Sequence, residues 1–133
     1  MIKKTTKMST DNNLVLIVED DEPILKILTD KLTREGVRVQ QARDGKEGLK
    51  KSIKFHPKLI LLDILMPGMD GMEMLRRLRK DKWGKNAQVI VLTNLSYEVK
   101  EEEALKEGVT EYWVKSDWKI DDIAKEVKKK IKK

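Results

Sequence analysis

Cysteine is absent from the 133 residues, and histidine occurs once, at His56. The first absence excludes disulfides, thiolate zinc sites, iron–sulfur clusters and a thiol nucleophile. The second excludes His-rich metal centres and argues against a serine–histidine triad. No apolar run approaches the roughly 20 residues of a membrane span. Met1 to Asn13 carry lysines but no apolar core, so this stretch is not a secretory signal, and the cytoplasm is the expected compartment. Neither a repeat nor a low-complexity linker divides the chain. What remains is 39% hydrophobic and 39% charged, a composition for one core under a densely ionic surface.

The net charge of +6 raises nucleic acid as a partner, but its placement points elsewhere. Residues 1–13 hold three lysines against Asp11, and residues 119–133 hold seven against Asp121, Asp122 and Glu126. The excess of +2 and +4 therefore sits at the two ends, and residues 14–118 are neutral. A groove that tracks phosphates is expected to carry charge on the body, so no nucleic acid or membrane partner is expected.

Residues 1–13 lack periodicity and read as a flexible basic arm. From residue 14, strands alternate with helices. Leu14-Val15-Leu16-Ile17-Val18, Leu59-Ile60-Leu61-Leu62 and Val89-Ile90-Val91-Leu92 are unbroken apolar runs, expected for strands buried on both faces. Val37-Arg38-Val39 and Tyr112-Trp113-Val114 supply two shorter strands. Pro23 suits a first helical turn, followed by the stripe Ile24, Leu25, Leu28 and Leu32, and Gly36 stops that helix. Asp44-Gly45 opens a second helix to about Phe55, and Met72 to Arg79 form a third. Ser96 is a plausible cap for a fourth from Tyr97 to Glu107, stopped by Gly108. Ile120, Ile123, Ala124, Val127 and Ile131 make the stripe of a fifth. Five successive βα units imply a parallel sheet covered on both faces, with ligands beyond the carboxyl ends of the strands.

The residues at those ends carry the chemistry. Glu19, Asp20, Asp21 and Glu22 follow the first strand, Asp63 the third and Thr93 the fourth, and Lys115 closes the fifth. Taken singly, the acids are ordinary at a helix N-terminus, where the macrodipole favours them. Taken together, on neighbouring strands about 4.8 Å apart, they would converge. Clustered carboxylates repel unless a hard cation neutralises them, and an all-oxygen set suits Mg²⁺. With a lysine and a hydroxyl beside it, such a site is built for a phosphoryl group, and a carboxylate can itself be the nucleophile.

Four segments, Leu16 to Pro23, Leu61 to Gly71 with its Asp-x-x-Met-Pro-x-Met-Asp-Gly stretch, Val91 to Asn94, and Tyr112 to Lys115, resemble the receiver domains of two-component response regulators. The resemblance spans residues 14–133 and resembles a stand-alone, chemotaxis-regulator-like member. It implies a flavodoxin-like, doubly wound (βα)5 three-layer sandwich with a parallel sheet of order 2-1-3-4-5. It implies Asp63 as phosphoacceptor, with Mg²⁺ held by Asp20 and Asp63, by Glu19 through water, and by the backbone carbonyl of Leu65. Thr93 and Lys115 would bind the phosphoryl group, and Thr93 and Tyr112 would form the switch. The phosphoryl donor would be a sensor histidine kinase or a histidine phosphotransfer protein. Phosphorylation would change the face of the fourth helix, fifth strand and fifth helix offered to a downstream protein, as a monomer or a phosphorylation-dependent dimer. Ending after the fifth helix, the chain is expected to be a signalling switch without a fused output domain, and not an enzyme.

Two positions depart from the family pattern. Ser116 stands where proline is usual, and Asn94 where a small residue is common. Leu65 and Leu95, two residues past Asp63 and Thr93, should exclude attacking water and slow loss of the phosphoryl group. Two other classes share parts of the pattern. A phosphate-independent pseudo-receiver scaffold would tolerate Ser116 and Asn94. A haloacid-dehalogenase-like phosphatase would want an acid where Leu65 stands. His56 is expected on the surface, away from the strand-end pocket, while Trp83, Trp113 and Trp118 are expected to pack, with Trp113 facing away from Tyr112, and Met66, Met69, Met72 and Met74 to pack in the core or loop around the third helix.

Overall fold

The structure is a computed structural model that describes residues 13–94 and 98–132. The basic arm up to residue 12, the Leu95 gate and the Ser96 cap lie outside the described residues. Five strands, β1 (Leu14–Val18), β2 (Arg38–Ala42), β3 (Leu59–Leu62), β4 (Val89–Thr93) and β5 (Glu111–Val114), alternate with α1 (Glu22–Arg34), α2 (Gly45–Phe55), α3 (Gly71–Arg79), α4 (Glu98–Lys106) and α5 (Ile120–Ile131). All strand pairs are parallel and the order is β2-β1-β3-β4-β5. None of the described helices is long and apolar enough to cross a membrane.

Side chains alternate along each strand, so the sheet feeds two separate apolar layers. Leu16, Val18, Ile60, Leu62, Val89 and Val91 point to the layer filled from α2, α3 and α4 by Leu49, Met72, Met74, Leu75, Leu78 and Ala104. Val15, Ile17, Leu59, Leu61, Ile90 and Leu92 point to the other, filled from α1 and α5 by Leu25, Leu28, Leu32, Ile123 and Val127. Each fully buried Leu or Ile contributes roughly 1.5–3 kcal/mol relative to exposure. The methionines near α3 and the α5 stripe are therefore core, as their spacing suggested. Tyr112 and Trp113 split between the layers, Tyr112 with the first and Trp113 with the second. Trp113 stacks on Trp118 at 4.2 Å.

One strand departs from the sequence reading. β2 runs from Arg38 to Ala42 rather than from Val37 to Val39, pairing residue for residue with all of β1. Its glutamines concealed it, because β2 is a sheet edge that needs no apolar run. There Gln41 donates to the Thr29 hydroxyl at 2.9 Å.

Local chemistry sets the helix ends. The Asp21, Asp44 and Asp70 carboxylates accept from the third backbone N–H beyond them and cap α1, α2 and α3. Gly36 and Gly108 leave their helices at positive φ. His56 ends α2 in the left-handed region, and its ring lies flat on Trp83 at 4.4 Å. At the end of the sheet away from the β-strand carboxyl termini, Arg79 donates to four backbone carbonyls, those of Gly84, Ala87, Glu107 and Gly108.

Candidate functional site

The parallel ladder runs past the ends of its strands and carries the acids with it. The Glu19 N–H donates to the Ala42 carbonyl at 2.9 Å, and the Asp63 N–H to the Val18 carbonyl at 3.0 Å. Glu19 and Asp63 thus sit side by side, 2% and 5% exposed, while Asp20 lies open to solvent. One carboxylate oxygen from each of the three falls within 4.8 Å of the others. Asp21 turns away to cap α1, although it still lines the rim, and Glu22 pairs with Arg43 across the surface.

Lys115 completes the group. It opens a short 3-10 turn at the end of β5, and its Nζ lies 2.7 Å from Glu19 Oε1 and 3.3 Å from Asp63 Oδ2. No described peptide bond is cis, so Ser116 follows Lys115 through a trans bond. The lysine still reaches both carboxylates without the proline that the family pattern supplies. Thr93 ends β4, fully buried, opposite Val114 in the ladder. Tyr112 lies two residues earlier on β5, opposite Val91 and half-buried.

The electrostatics follow from burial with too little positive charge. Desolvation pushes the Glu19 carboxyl up to about 7, the Lys115 hydrogen bond opposes this, and the Asp63 charge adds to it. Burial alone would lower Lys115, but its bond to Glu19 and the charges of Asp63 and Glu19 hold it above the ordinary lysine value. Burial, then Glu101 and Asp63, raise the Tyr112 phenol, so it stays protonated. One lysine thus answers three carboxylates. The surplus negative charge, the hard oxygen donors and the open side at Asp20 fit a divalent cation of the Mg²⁺ type.

The walls are shaped by the third loop. An open cleft of about 290 Å³ is lined by Glu19, Asp20, Asp21, Asp63, Leu65, Asn94 and Lys115. Leu65 is 52% exposed and stands at its rim. The Leu65 N–H donates to Asp63 Oδ1 at 3.3 Å, which orients the carboxylate. Gly71 is a positioning residue whose role the sequence reading did not single out. A Cβ there would lie 2.2 Å from the Asp63 carbonyl oxygen and 2.8 Å from the Ile64 Cα. Only glycine lets the start of α3 rest on the backbone of Asp63. The signal was present in Met-Asp-Gly, where the aspartate caps the helix and the glycine permits the approach.

The comparisons with known proteins agree with this geometry. The model of the response regulator receiver domain matches residues 15–128. The transcriptional regulatory protein AfsQ1 of Streptomyces coelicolor is 38% identical over 101 residues, covering 76% of this chain and 44% of the relative. A protein-glutamate methylesterase/protein-glutamine glutaminase of Archaeoglobus fulgidus is 33% identical over 90% of this chain and 34% of its own length. The chain therefore spans less than half the length of the curated relatives it matches. Among solved structures, a CheY-like receiver domain protein from Methanospirillum hungatei superposes with a TM-score of 0.82 at 29% identity, covering 91% of this chain and 94% of that one. The response regulator TrrA from Thermotoga maritima, solved in complex with Mg²⁺ and BeF, gives 0.76 at 35% identity, covering 89% and 98%. With its strand order, its acidic cleft and these matches in agreement, the chain belongs to the response regulator receiver domains of two-component systems.

Proposed function

We propose that the chain is a phosphorylation switch that accepts a phosphoryl group on Asp63. The observation that carries this reading is Lys115 bridging Glu19 and Asp63, with Asp20 as a third carboxylate within reach. A carboxylate oxygen of Asp63 attacks phosphorus, a P–O bond forms, and the P–N bond to the donor histidine breaks. The donor is a histidine kinase or phosphotransfer protein. Asp20 and Asp63 would hold Mg²⁺, with Glu19 acting through water and the Leu65 carbonyl adding a ligand. When bound, the ion supplies neutralisation of charge on the transferring phosphoryl oxygens. The Lys115 ammonium pairs with the phosphoryl group, and the Leu65 N–H holds the attacking carboxylate in place.

The Thr93 hydroxyl turns to the phosphoryl oxygen, and Tyr112 follows into the space released. The fourth-helix side of β5 then changes its surface for a protein partner. Residues 14–133 form the switching unit, and self-catalysed uptake and slow loss of the phosphoryl group are its only chemistry. The complex of TrrA with Mg²⁺ and BeF supports the metal assignment by analogy.

The test is intact mass after incubation with acetyl phosphate and Mg²⁺. One added phosphoryl group, absent in Asp63→Asn and absent without Mg²⁺, is expected. An unchanged mass, with Mg²⁺ binding demonstrated, would replace this reading with a phosphate-independent scaffold.

A further inference from the structure

The neutral body of the sequence is a sum over faces of opposite sign. Residues 45–58, which hold α2, carry five lysines against Glu47 alone. Residues 71–88, which hold α3 and its following loop, carry six cations against Glu73 and Asp81. Each segment is +4, and the two helices pack side by side on one face of the sheet. The compensating acids lie elsewhere, in the cleft and along α4, where residues 98–107 hold five glutamates against two lysines. The expectation of no nucleic-acid partner rested on the zero sum.

The basic face is unusual in being uncompensated. Glu47 and Glu73 are both engaged, Glu47 with the Arg43 N–H and Lys51, Glu73 with Arg76 and Arg77. Asp81 is turned into the backbone N–H groups of Trp83 and Gly84. Lys46, Lys50, Lys54, Lys80, Lys82 and Lys85 are all exposed, and none has a carboxylate partner among the described residues. Attraction to helix C-termini explains Lys54 and Lys80. It does not explain Lys46, which sits in the first turn of α2, where the dipole opposes a cation.

Lys46, Lys50 and Lys54 stand one turn apart and form a row about 12 Å long. At the end of the row, Phe55 is exposed beneath the Lys54 ammonium, 5.3 Å from it, and the exposed His56 ring lies on Trp83. Lysines beside exposed rings can bind a phosphate backbone and its unstacked bases together. Exposed rings beside lysines suit unstacked bases, which a duplex keeps stacked away from them.

We propose that the α2–α3 face binds single-stranded nucleic acid, through its phosphates on the two lysine groups and its bases on Phe55 and His56. This surface is separate from the acidic cleft and does not depend on the phosphorylation reading. The probe is fluorescein-labelled oligothymidylate, titrated by anisotropy across a salt series with the full chain. Six phosphate contacts at about 0.7 each give an expected slope of log K against log salt near −4. Lys46→Gln with Lys50→Gln and Lys54→Gln should bring it to about −2, and Phe55→Ala should weaken binding about tenfold at unchanged slope. Circular dichroism and thermal melts check that each variant remains folded.

Three outcomes would overturn the proposal. The first is no binding at low salt. The second is binding lost in Lys125→Gln with Lys128→Gln and Lys129→Gln but kept in the α2 triple variant, which would move the site to α5. The third is displacement of the oligonucleotide by polyglutamate at lower charge concentration than by unlabelled oligothymidylate, which would make the partner an acidic protein.

Discussion

Replacing Gly71 by alanine tests whether the start of α3 holds Asp63 in place. The added Cβ would meet the Asp63 carbonyl oxygen at 2.2 Å, more than an ångström inside ordinary contact, and the obstacle is backbone on both sides. Overpacking of this kind costs up to about 3 kcal/mol. Alanine returns roughly 0.5–1 kcal/mol through helix propensity, leaving a net loss of about 2 kcal/mol. For a chain of this size, that is a drop in Tm of about 7 °C. The relief available is a shift of Asp63, and misplacement by 1 Å can cost about a hundredfold in reactivity. Uptake from acetyl phosphate, read by intact mass against time, should therefore slow by at least about tenfold. Gly68→Ala is the comparison in the same loop. Gly68 has φ +73 with nothing within 4 Å, so alanine there costs about 1 kcal/mol of backbone strain and leaves Asp63 undisturbed. Slowing by Gly68→Ala as great as by Gly71→Ala, or wild-type uptake in Gly71→Ala, would refute the reasoning.

Further expectations concern charge and water. In metal-free protein the folded state keeps the Glu19 proton up to about pH 7, whereas the unfolded chain loses it near 4.5. Stability should therefore fall by about 3 kcal/mol as pH rises through that window, and urea titrations of Glu19→Gln should lack this component. Protons compete with Mg²⁺ for the same cluster, so calorimetric Mg²⁺ affinity should weaken as pH drops below 7. Lys115→Ala leaves buried carboxylates facing each other and should destabilise the metal-free protein by about 3 kcal/mol, with saturating Mg²⁺ restoring much of the loss in a urea melt. Leu65→Gln opens the cleft rim to water and should hasten loss of the phosphoryl group by about tenfold, or about 1.4 kcal/mol of barrier, followed by mass spectrometry.

The buried strands were legible because β1, β3 and β4 are apolar without interruption, and only a strand covered on both faces reads that way. β2 was less so, since an edge strand with Gln40 and Gln41 carries no apolar signature. Glu19, Asp63, Thr93 and Lys115 were legible as a group because strand ends in a parallel sheet must converge. Their mutual geometry was not legible. Nothing in the order of residues says that Lys115 divides itself between Glu19 and Asp63, or that burial shifts the Glu19 proton toward neutral pH. Summed along the chain, charge also concealed its own segregation, because the basic α2 and α3 are distant in sequence from the acids of the cleft and α4 that offset them.

The guanidinium of Arg79 grips the carbonyls of the loop entering β4 and of the exit of α4 at once. It acts as a pivot pin, fixing one end of α4 to the sheet at the pole opposite the cleft. In the switch proposed above, a displacement born at Thr93 would enter from the other end of that helix. With one end held, the helix would tilt rather than slide, turning a small movement at the hydroxyl into a swing along its length. The lever arm would thus be set by Arg79, which lies outside the acidic cleft and donates to backbone carbonyls.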